Sequence, residues 1–595
     1  MNDLTPTQAS DIAAQLLQVQ DLLEKGEPAR ARDICVRAVA LAPENVRAIF
    51  ALGVALHANR QAGDAAAVFL KASRMDPAWL APRLMLAKCF EAQGKTKDAL
   101  SVLRQTAEAF PDASELWLLR GSVERKSGDD VAAETSFRRY CALKPNDPDG
   151  LNNLAVTVRA QGRVTEAVAI YRQALAAAPT SSLLHANLGN ALDVLGDTTG
   201  ARAHLRAALA NEPDSIDARY NLGAHLIREE DTAEGVALLK PLVGSCPERW
   251  DIWTNLGVGL LALGQFEAAE AAYRAALRLK PGAPETHYDL AWLLLLSGRW
   301  REGWAEYEWR WQLPNFSSRR PETQAPLWTG EQRAGETILL VAEQGLGDAI
   351  QCVRFARLIR ERCAKVVLSC PAPLISLLTG TAGLDELVPF GDKLPAHHAY
   401  CPLLSLPRIF DITPETVPDE AGYLKPRGAI PPHLQLPPAK RKRIGFVWAG
   451  SADNKIDKRR SCAVEHFVEL MKTVEADFVS LQIGPRAAEV EGQDAPRLIL
   501  NTNGLTHDLN ETAHVIRQLD LVIGVDTAVM HLAGALGRPG WILLPFSPDY
   551  RWLLAREDTP WYGSIRLFRQ GVNGDWPGVF SRVNSALTNW LRRSD

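Results

Sequence analysis

Residues 151–179, "LNNLAVTVRAQGRVTEAVAIYRQALAAAP", form one unit of a repeat that organises the first half of the chain. The unit carries a small residue at Ala155, a glycine at Gly162 and a final proline, and these residue types return every 34 residues. The proline series is Pro43, Pro77, Pro111, Pro145, Pro179, Pro213, Pro247 and Pro281. Proline ends a helix, glycine favours a turn, and small residues let helices touch, so the pattern predicts two antiparallel helices per repeat.

Two further series keep the same period. Small residues stand at Gly53, Ala87, Gly121, Ala155, Gly189, Gly223, Gly257 and Ala291. Turn glycines stand at Gly94, Gly128, Gly162, Gly196, Gly264 and Gly298, with Arg60 and Glu230 at two intervening positions. Over residues 12–317 the pattern resembles the tetratricopeptide repeat, whose stacked helices form a concave surface suited to an extended polypeptide. The alternative function of such an array is that of a spacer without a ligand.

Asparagines also recur at this spacing, on the face expected to line the inside of the array. They are Asn153, Asn187, Asn221 and Asn255, and the series stops at Asp289. A side-chain amide has donors and an acceptor, so a row of them can bind a polypeptide backbone whatever its side chains. The row is similar to the asparagine ladder of protein O-GlcNAc transferase, in which such repeats accompany a sugar-transferring domain. Alternatively, these asparagines bridge neighbouring helices.

A different pattern begins after residue 317, and we assign residues 318–330 as a linker. Short β-rich runs then alternate with helical runs: "ETILLVAE", "KVVLSC", "ELVPF", "RIGFVWAG", "FVSLQIG", "LVIGVD" and "GWILLPF". A proline-rich stretch at 412–443 separates the first three runs from the rest. This alternation predicts two α/β lobes with parallel sheets, at 331–432 and 433–595. The predicted fold class is therefore an α-helical solenoid followed by a two-lobe α/β domain.

A glycine turn, "VAEQGLGD" at 341–348, follows the first predicted strand. Such a turn before a helix would ordinarily suggest a phosphate cradle, but the carboxylate of Asp348 would repel phosphate. A carboxylate within hydrogen-bond reach of an acceptor hydroxyl can act instead as a general base, and Gly345 and Gly347 would leave room for that acceptor. The alternative role for Asp348 is to cap the helix that follows.

The second predicted lobe contains a motif suited to an anion, "VDTAVMHLAGALG" at 525–537. Asp526 and Thr527 follow a strand, and a helix starts at Ala528, where unpaired N–H groups would attract the phosphates of a nucleotide-sugar. His531 stands one helical turn after Thr527. The alternative is an ordinary helix cap beside a core histidine.

A second donor-side motif, "WAGSADNKIDKRRS", occupies 448–461. Gly450 and Ser451 form a small-residue turn, and the cations that follow could neutralise a leaving phosphate. Lys455 is the leading candidate, with Arg460 and Arg459 as alternatives. Solvated surface charge is the other interpretation of this run.

Together the "GLGD" and "VDTAVMHLAGALG" motifs resemble the heptosyltransferase-like group of GT-B glycosyltransferases, which includes repeat-fused flagellin glycosyltransferases. The resemblance implies that Asp348 is the general base and that Asp526, Thr527 and His531 line the donor pocket. It also implies that Lys455 contacts the phosphate and that neither metal nor cofactor is required. The D-x-D pair of metal-using transferases occurs only at 147–149, in a predicted turn of the repeats, where we expect helix capping.

Composition and charge bear on whether the chain binds nucleic acid, contains disulfides or crosses a membrane. A formal net charge of -4 gives no general reason to expect nucleic-acid binding. The nine cysteines include no C-x-x-C pair, which favours reduced thiols in a cytoplasmic protein. The N-terminus has no apolar leader, and no apolar run approaches the length of a membrane span.

The sequence therefore predicts a protein O-glycosyltransferase that moves a sugar from a nucleotide-sugar to Ser or Thr of a polypeptide held by the repeats. The family resemblance points to flagellin as acceptor and to a nonulosonic acid, such as pseudaminic acid, as the sugar. Two alternatives remain open: transfer to a lipopolysaccharide or small carbohydrate, and an inactive repeat scaffold.

Overall fold

The computed structural model describes residues 6–318, 320–418, 421–451 and 457–593. Its contacts divide the chain into two compact units, Met1–Leu242 and Val243–Asp595. The repeat pattern continues to about residue 317, so the last repeats belong to the same compact unit as the α/β lobes. The functional roles assigned to 1–317, 318–330, 331–432 and 433–595 stay predictions.

The first unit is a succession of paired helices that follow the 34-residue period. Its helices are α1 Pro6–Glu24, α2 Pro28–Leu41, α3 Val46–Ala58, α4 Ala62–Met75, α5 Leu80–Ala92, α6 Thr96–Ala109, α7 Ser114–Lys126, α8 Asp130–Leu143, α9 Pro148–Ala160, α10 Val164–Ala177, α11 Ser182–Val194, α12 Thr198–Asn211, α13 Ile216–Arg228 and α14 Thr232–Leu239, and the short α15, Leu242–Ser245, follows. This arrangement confirms the predicted tetratricopeptide solenoid.

The periodic residues do what their chemistry predicts. A Cβ atom added at Gly53 would lie 2.6 Å from the ring of Phe69, so only glycine lets these two helices approach so closely. The turn positions adopt left-handed backbone conformations, and Arg60 (φ 59°) and Glu230 (φ 72°) adopt them without being glycine. The period therefore determines the backbone even at positions where the residue type departs from it.

The second unit begins with four helices of the repeat pattern and continues with two sheets and their covering helices. Its repeat helices are α16 Trp250–Ala262, α17 Phe266–Leu279, α18 Pro284–Leu296 and α19 Trp300–Tyr307. The remaining helices are α20 Leu346–Cys352, α21 Ala356–Arg360, α22 Ala372–Leu378, α23 Leu406–Ile409, α24 Asp457–Arg460, α25 Glu465–Thr473, α26 Leu509–Ile516, α27 Ala528–Ala535 and α28 Trp576–Arg593.

Two separate parallel sheets form the lobes. The strands are β1 Arg333–Val341, β2 Cys363–Cys370, β3 Glu386–Pro389, β4 Ala399–Pro402, β5 Arg443–Val447, β6 Asp477–Ser480, β7 Leu498–Asn501, β8 Leu521–Val525, β9 Gly540–Leu544 and β10 Ile565–Arg569. The first sheet has the order β3-β2-β1-β4 and the second the order β10-β9-β8-β5-β6-β7. All seven predicted strands are present, β4, β7 and β10 were not predicted, and the arrangement is consistent with a GT-B fold.

The last repeat packs directly against the α/β lobes through aromatic residues. The Tyr550 ring, which follows β9, meets the rings of Trp292, Trp304 and Tyr307 at centroid distances of 5.3, 5.7 and 6.0 Å. Trp300 stacks on Trp561 at 5.0 Å. These large side chains join one buried cluster with residues of both sheets, so α18 and α19 share a core with both lobes.

Within the described ranges, no helix combines the length and the apolar character needed to cross a membrane.

Candidate active site

The glycine turn after β1 is held in place by the last repeat. Glu343 is buried and makes a double ion pair with Arg310, with N–O distances of 2.8 and 3.0 Å. Gln344 has a left-handed backbone (φ 60°), and its side-chain amide donates to the Tyr307 hydroxyl. Because Arg310 and Tyr307 lie at the end of the repeats, the conformation of this turn depends on them.

Asp348 lies in the first turn of α20 and faces both its own helix and the second lobe. Its Oδ2 accepts a 2.8 Å hydrogen bond from the Gly345 N–H, so the capping role foreseen as an alternative is present. Its Oδ1 contacts Nη2 of Arg551, a residue of the second lobe. Capping therefore accounts for one carboxylate oxygen of Asp348, and the ion pair with Arg551 accounts for the other.

Arg551 is the residue at this site that the sequence did not predict. It is only 7% exposed, its Nε donates to Gln351 Oε1 at 2.8 Å, and its Nη1 lies 2.7 Å from Asp549 Oδ1. Burial opposes its charge, but the neighbouring carboxylates of Asp348 and Asp549 keep its pKa well above the ordinary value. Burial in turn raises the pKa of Asp549. One buried cation thus binds carboxylates from both lobes.

The donor-side motif lies where β8 ends and α27 begins. Asp526 Oδ1 is 3.6 Å from His531 Nε2, and His531 Nδ1 shares a 2.9 Å hydrogen bond with the Tyr562 hydroxyl. Burial would raise the pKa of Asp526, but the interaction with His531 outweighs it and holds that pKa below its usual value. Asp526 therefore places a carboxylate anion beside the ring of His531.

The start of α27 has the features of an anion site. Thr527 is the N-cap residue and Ala528 the first helical residue, and the first N–H groups of any helix lack partners within it. The Thr527 hydroxyl is buried and has no hydrogen-bond partner among the described residues. A phosphate oxygen bound here would satisfy both kinds of donor.

The two lobes approach each other closely at this point. Helices α20 and α27 contact each other, and a Cβ atom added at Gly347 would lie 2.7 Å from Cδ2 of His531. The structure thus brings Asp348, Asp526 and His531 together, although almost two hundred residues separate the first from the others. Gly345, at the mouth of the turn, is exposed.

The small-residue turn after β5 contacts helix α24. The Gly450 N–H donates to Ser461 Oγ at 3.2 Å, and Ser461 Oγ donates to Asp457 Oδ2 at 2.8 Å. Arg460 Nε lies 3.2 Å from Asp457 Oδ1, so this arginine is already engaged by a carboxylate. Ser451 is exposed, and Lys455 lies outside the described residues.

The asparagines of the inner series are all half-buried. Nδ2 of Asn187 donates to Oδ1 of Asn152 at 2.8 Å, and Nδ2 of Asn255 donates to the Asp251 carbonyl at 3.1 Å. Asn187 thus bridges two neighbouring helices, as the alternative interpretation expected, whereas the Asn255 hydrogen bond stays within α16. The role of Asn153, Asn187, Asn221 and Asn255 in binding a polypeptide stays a prediction.

The D-x-D pair has a structural role. Asp147 Oδ2 accepts from the Gly150 N–H at 2.8 Å and from the Tyr140 hydroxyl at 2.9 Å, which confirms capping of α9. In the part of the chain that the structure describes, no three His, Cys, Asp or Glu side chains are grouped so as to hold a metal ion.

Comparison with known proteins gives matches for both parts of the chain. Tetratricopeptide repeat families match residues 16–78, 84–148, 150–178, 187–249 and 260–303. Glycosyltransferase family 9 (heptosyltransferase) matches residues 426–543, which include the motifs around Gly450 and Asp526. Protein FlbA of Caulobacter vibrioides is 26% identical over 531 residues, covering 84% of this chain and 83% of FlbA.

Two solved structures share helical-repeat similarity. The APC/C hetero-tetramer Cut9–Hcn1 is 15% identical with a TM-score of 0.36, covering 49% of this chain and 57% of that chain. PilW, a type IV pilus biogenesis factor, is 21% identical with a TM-score of 0.33, covering 36% of this chain and 98% of that chain. By the family matches, the chain carries tetratricopeptide repeats followed by a glycosyltransferase family 9 domain.

Proposed function

We propose that this protein is a protein O-glycosyltransferase that moves a sugar from a nucleotide-sugar to a Ser or Thr hydroxyl of a polypeptide held by the repeats. The observation that carries the proposal is the meeting of Asp348 with Asp526 and His531 where the two lobes approach. A carboxylate on one lobe then faces an anion-binding helix start on the other, which is the arrangement that sugar transfer between two substrates requires.

The chemical step follows from these positions. The acceptor oxygen forms a bond to the anomeric carbon of the sugar while the bond from that carbon to the nucleotide phosphate breaks. The proton of the acceptor hydroxyl passes to the Asp348 carboxylate, and the leaving phosphate carries away the bonding electrons. The N–H groups at the start of α27 and the Thr527 hydroxyl stabilise that phosphate as its charge grows.

The other donor-side residues complete the assignment. Gly450 and Ser451 make room at the end of β5, and Lys455 and Arg460 supply positive charge toward the leaving phosphate. Because helix N–H groups and cations provide this stabilisation, we assign no metal ion or cofactor to the reaction. The nucleotide-sugar is a co-substrate.

The acceptor is the part of the proposal that rests on resemblance. The motifs of both lobes resemble those of repeat-fused flagellin glycosyltransferases, so we propose flagellin as the polypeptide and a nonulosonic acid as the sugar. We also propose the cytoplasm as the compartment in which this reaction takes place. The match to a heptosyltransferase family favours a second candidate, transfer to a lipopolysaccharide or another saccharide.

The test is a transfer assay with two acceptors in parallel. The purified chain is incubated with flagellin or with a lipopolysaccharide core saccharide, and with CMP-, ADP- or UDP-linked sugars, and products are read by intact mass. We expect a mass increase on flagellin that maps to Ser or Thr. Sugar on the saccharide alone would identify the second candidate, and the absence of any product with every donor would point to the inactive scaffold.

The asparagine series gives a control within the same assay. Changing Asn153, Asn187, Asn221 and Asn255 together to Ala removes four side-chain amides, each worth about 0.5 to 1.5 kcal/mol when it forms a neutral hydrogen bond. We expect weaker flagellin binding and unchanged nucleotide binding by calorimetry. A lower melting temperature with unchanged flagellin affinity would leave these residues with the helix-bridging role alone.

A further inference from the structure

The inner face of the last repeat differs from that of the repeat before it. In α16 the face presents Thr254, Asn255 and Val258, whereas the matching positions of α18 hold Tyr288, Asp289 and Trp292. Tyr288 and Trp292 lie one helical turn apart, so their rings are neighbours on the same side of the helix, and both are half-buried. The last repeat thus replaces two small side chains with an aromatic surface that solvent can reach.

This aromatic surface abuts the two elements that hold Asp348. The Tyr288 ring stacks on Tyr307 at 5.5 Å, and the Tyr307 hydroxyl accepts from the Gln344 amide of the glycine turn. The Trp292 ring meets Tyr550 edge-on at 5.3 Å, and Tyr550 directly precedes Arg551, which contacts Asp348. A ligand that rests on Tyr288 and Trp292 therefore lies beside the candidate base.

The electrostatics of Tyr288 agree with this position. Burial raises the pKa of its hydroxyl, and the negative charges of Asp549 and Asp348 add to the rise. Both carboxylates are thus near enough to act on the phenol, although Tyr288 belongs to the repeats and they belong to the lobes.

We propose that Tyr288 and Trp292 form an acceptor subsite, on which the polypeptide segment that carries the reacting hydroxyl lies as it reaches Asp348. The subsite rests on the proposed function and extends it by naming where the acceptor is positioned. Flat aromatic faces bind a peptide backbone and small side chains by contact area, and they order few rotatable bonds in doing so.

The position of the subsite favours the acceptor over the donor sugar as its occupant. The anion-binding features of the donor side lie on α27 and after β5, in the second lobe. The aromatic pair instead adjoins the glycine turn of the first lobe, through the contact of Tyr288 with Tyr307 and of Tyr307 with Gln344.

The experiment compares Trp292→Leu and Trp292→Phe in the full-length chain, with Trp253→Leu as the matched control. Trp253 is a half-buried tryptophan of α16 whose indole N–H donates to the Pro247 carbonyl at 3.1 Å, away from the aromatic pair. Flagellin is the acceptor probe, and its binding and glycosylation are measured with the affinity for whichever of CMP, ADP or UDP the wild type binds.

We expect Trp292→Leu to weaken flagellin binding about tenfold, the usual range for a central aromatic contact. Trp292→Phe should recover most of that loss, because it keeps an aromatic contact with Tyr550. The nucleotide affinity of both Trp292 variants should stay within about twofold of the wild type. In Trp253→Leu, both flagellin binding and nucleotide affinity should stay within that range.

Three results overturn the subsite. Unchanged flagellin binding in Trp292→Leu would show that the rings do not touch the acceptor. An equal loss of nucleotide affinity would assign them to the donor. A tenfold loss of flagellin binding in Trp253→Leu would show that the substitutions act through a general effect on the repeats. A wild-type chain that glycosylates saccharide but not flagellin overturns the proposed function as well, which distinguishes that failure from the other three.

Discussion

The helix pairs α9–α10 and α18–α19 follow the same 34-residue pattern but pack against different partners. The buried cluster around α9 and α10 consists mostly of Ala, Leu and Val from these helices and their neighbours, such as Leu154, Ala167 and Ala133 of α8. Around α18 and α19 they are tryptophans and tyrosines that also contact residues of both α/β lobes. The periodic small residues, turn residues and prolines determine that a helix pair forms. The residues between them determine what the pair packs against.

This difference in packing predicts which truncated fragments of the chain will fold. A fragment of residues 318–595 loses α18, α19 and Arg310, so it leaves Tyr550, Trp561 and Glu343 without their partners. We expect this fragment to aggregate or to lack a cooperative melting transition. A fragment of residues 243–595 retains the whole compact unit and should melt cooperatively. Equal cooperativity in both fragments, measured by calorimetry, would show that the last repeat is as dispensable as an internal one.

A substitution at the proposed catalytic base should lower transfer activity more than any substitution on the surface of the repeats. Asp348→Asn keeps an oxygen to accept the Gly345 N–H but cannot take a proton, so we expect transfer to fall by roughly 10²- to 10⁴-fold. Asp411→Asn is the matched control, because Asp411 is an exposed carboxylate of the same unit that pairs with Arg301. Near-normal turnover in Asp348→Asn, measured by product mass over time, would leave Asp348 with the capping role only.

Two of the ion pairs that join the last repeat to the first lobe differ in burial, so the loss of each should have a different effect on stability. Arg310→Met leaves the buried carboxylate of Glu343 without its partner, which should lower the free energy of unfolding by about 3 to 5 kcal/mol. Arg301→Met breaks only the exposed pair with Asp411, so about 0 to 1 kcal/mol is expected. Denaturant titration of both variants tests this, and similar losses would contradict the contrast. Arg310→Met with Glu343→Gln should recover part of the larger loss.

The smallest expected effect concerns the position at which the asparagine series stops. Burial, with a contribution from Glu285, raises the pKa of Asp289 to about 7. The folded chain therefore holds this proton more tightly than the unfolded chain, and stability is lost as pH rises from about 4 through 7. Asp289→Asn removes that titration, so the variant should gain about 1 to 2 kcal/mol over the wild type between pH 5 and pH 8. A pH-independent difference between the two melting curves would contradict the shift.

Local patterns predicted most of the fold, because the repeat period and the long apolar strands are properties of neighbouring residues. The missed strands have other causes. β10 alternates arginine with apolar residues, and β4 and β7 are four residues long, although β3 and β6 have the same length and were predicted. Each of these three strands is completed by pairing with a neighbour in its sheet, which no local pattern reports.

Site residues that belong to a sequence motif were predictable. Residues that reach the site from a distant part of the chain were not. Asp348, Asp526 and His531 belong to recognisable motifs that follow the ends of strands. Arg551 stands 203 residues after Asp348, outside the motifs from which the site was predicted. Gln482 was also missed, although its side chain accepts from the Trp448 and Ala449 N–H groups at 3.2 and 2.9 Å and fixes the end of β5. Such partners become visible only when two lobes are folded.

The contact between Gly347 and His531 limits how closely the two lobes can close. A hydrogen atom is the only side chain that fits between α20 and the imidazole, so any methyl group at this position would act as a wedge. The wedge would stand between the proposed base, Asp348, and the proposed phosphate site at the start of α27. Gly347 therefore acts by having no side chain, because only then can these two proposed parts of the site approach each other.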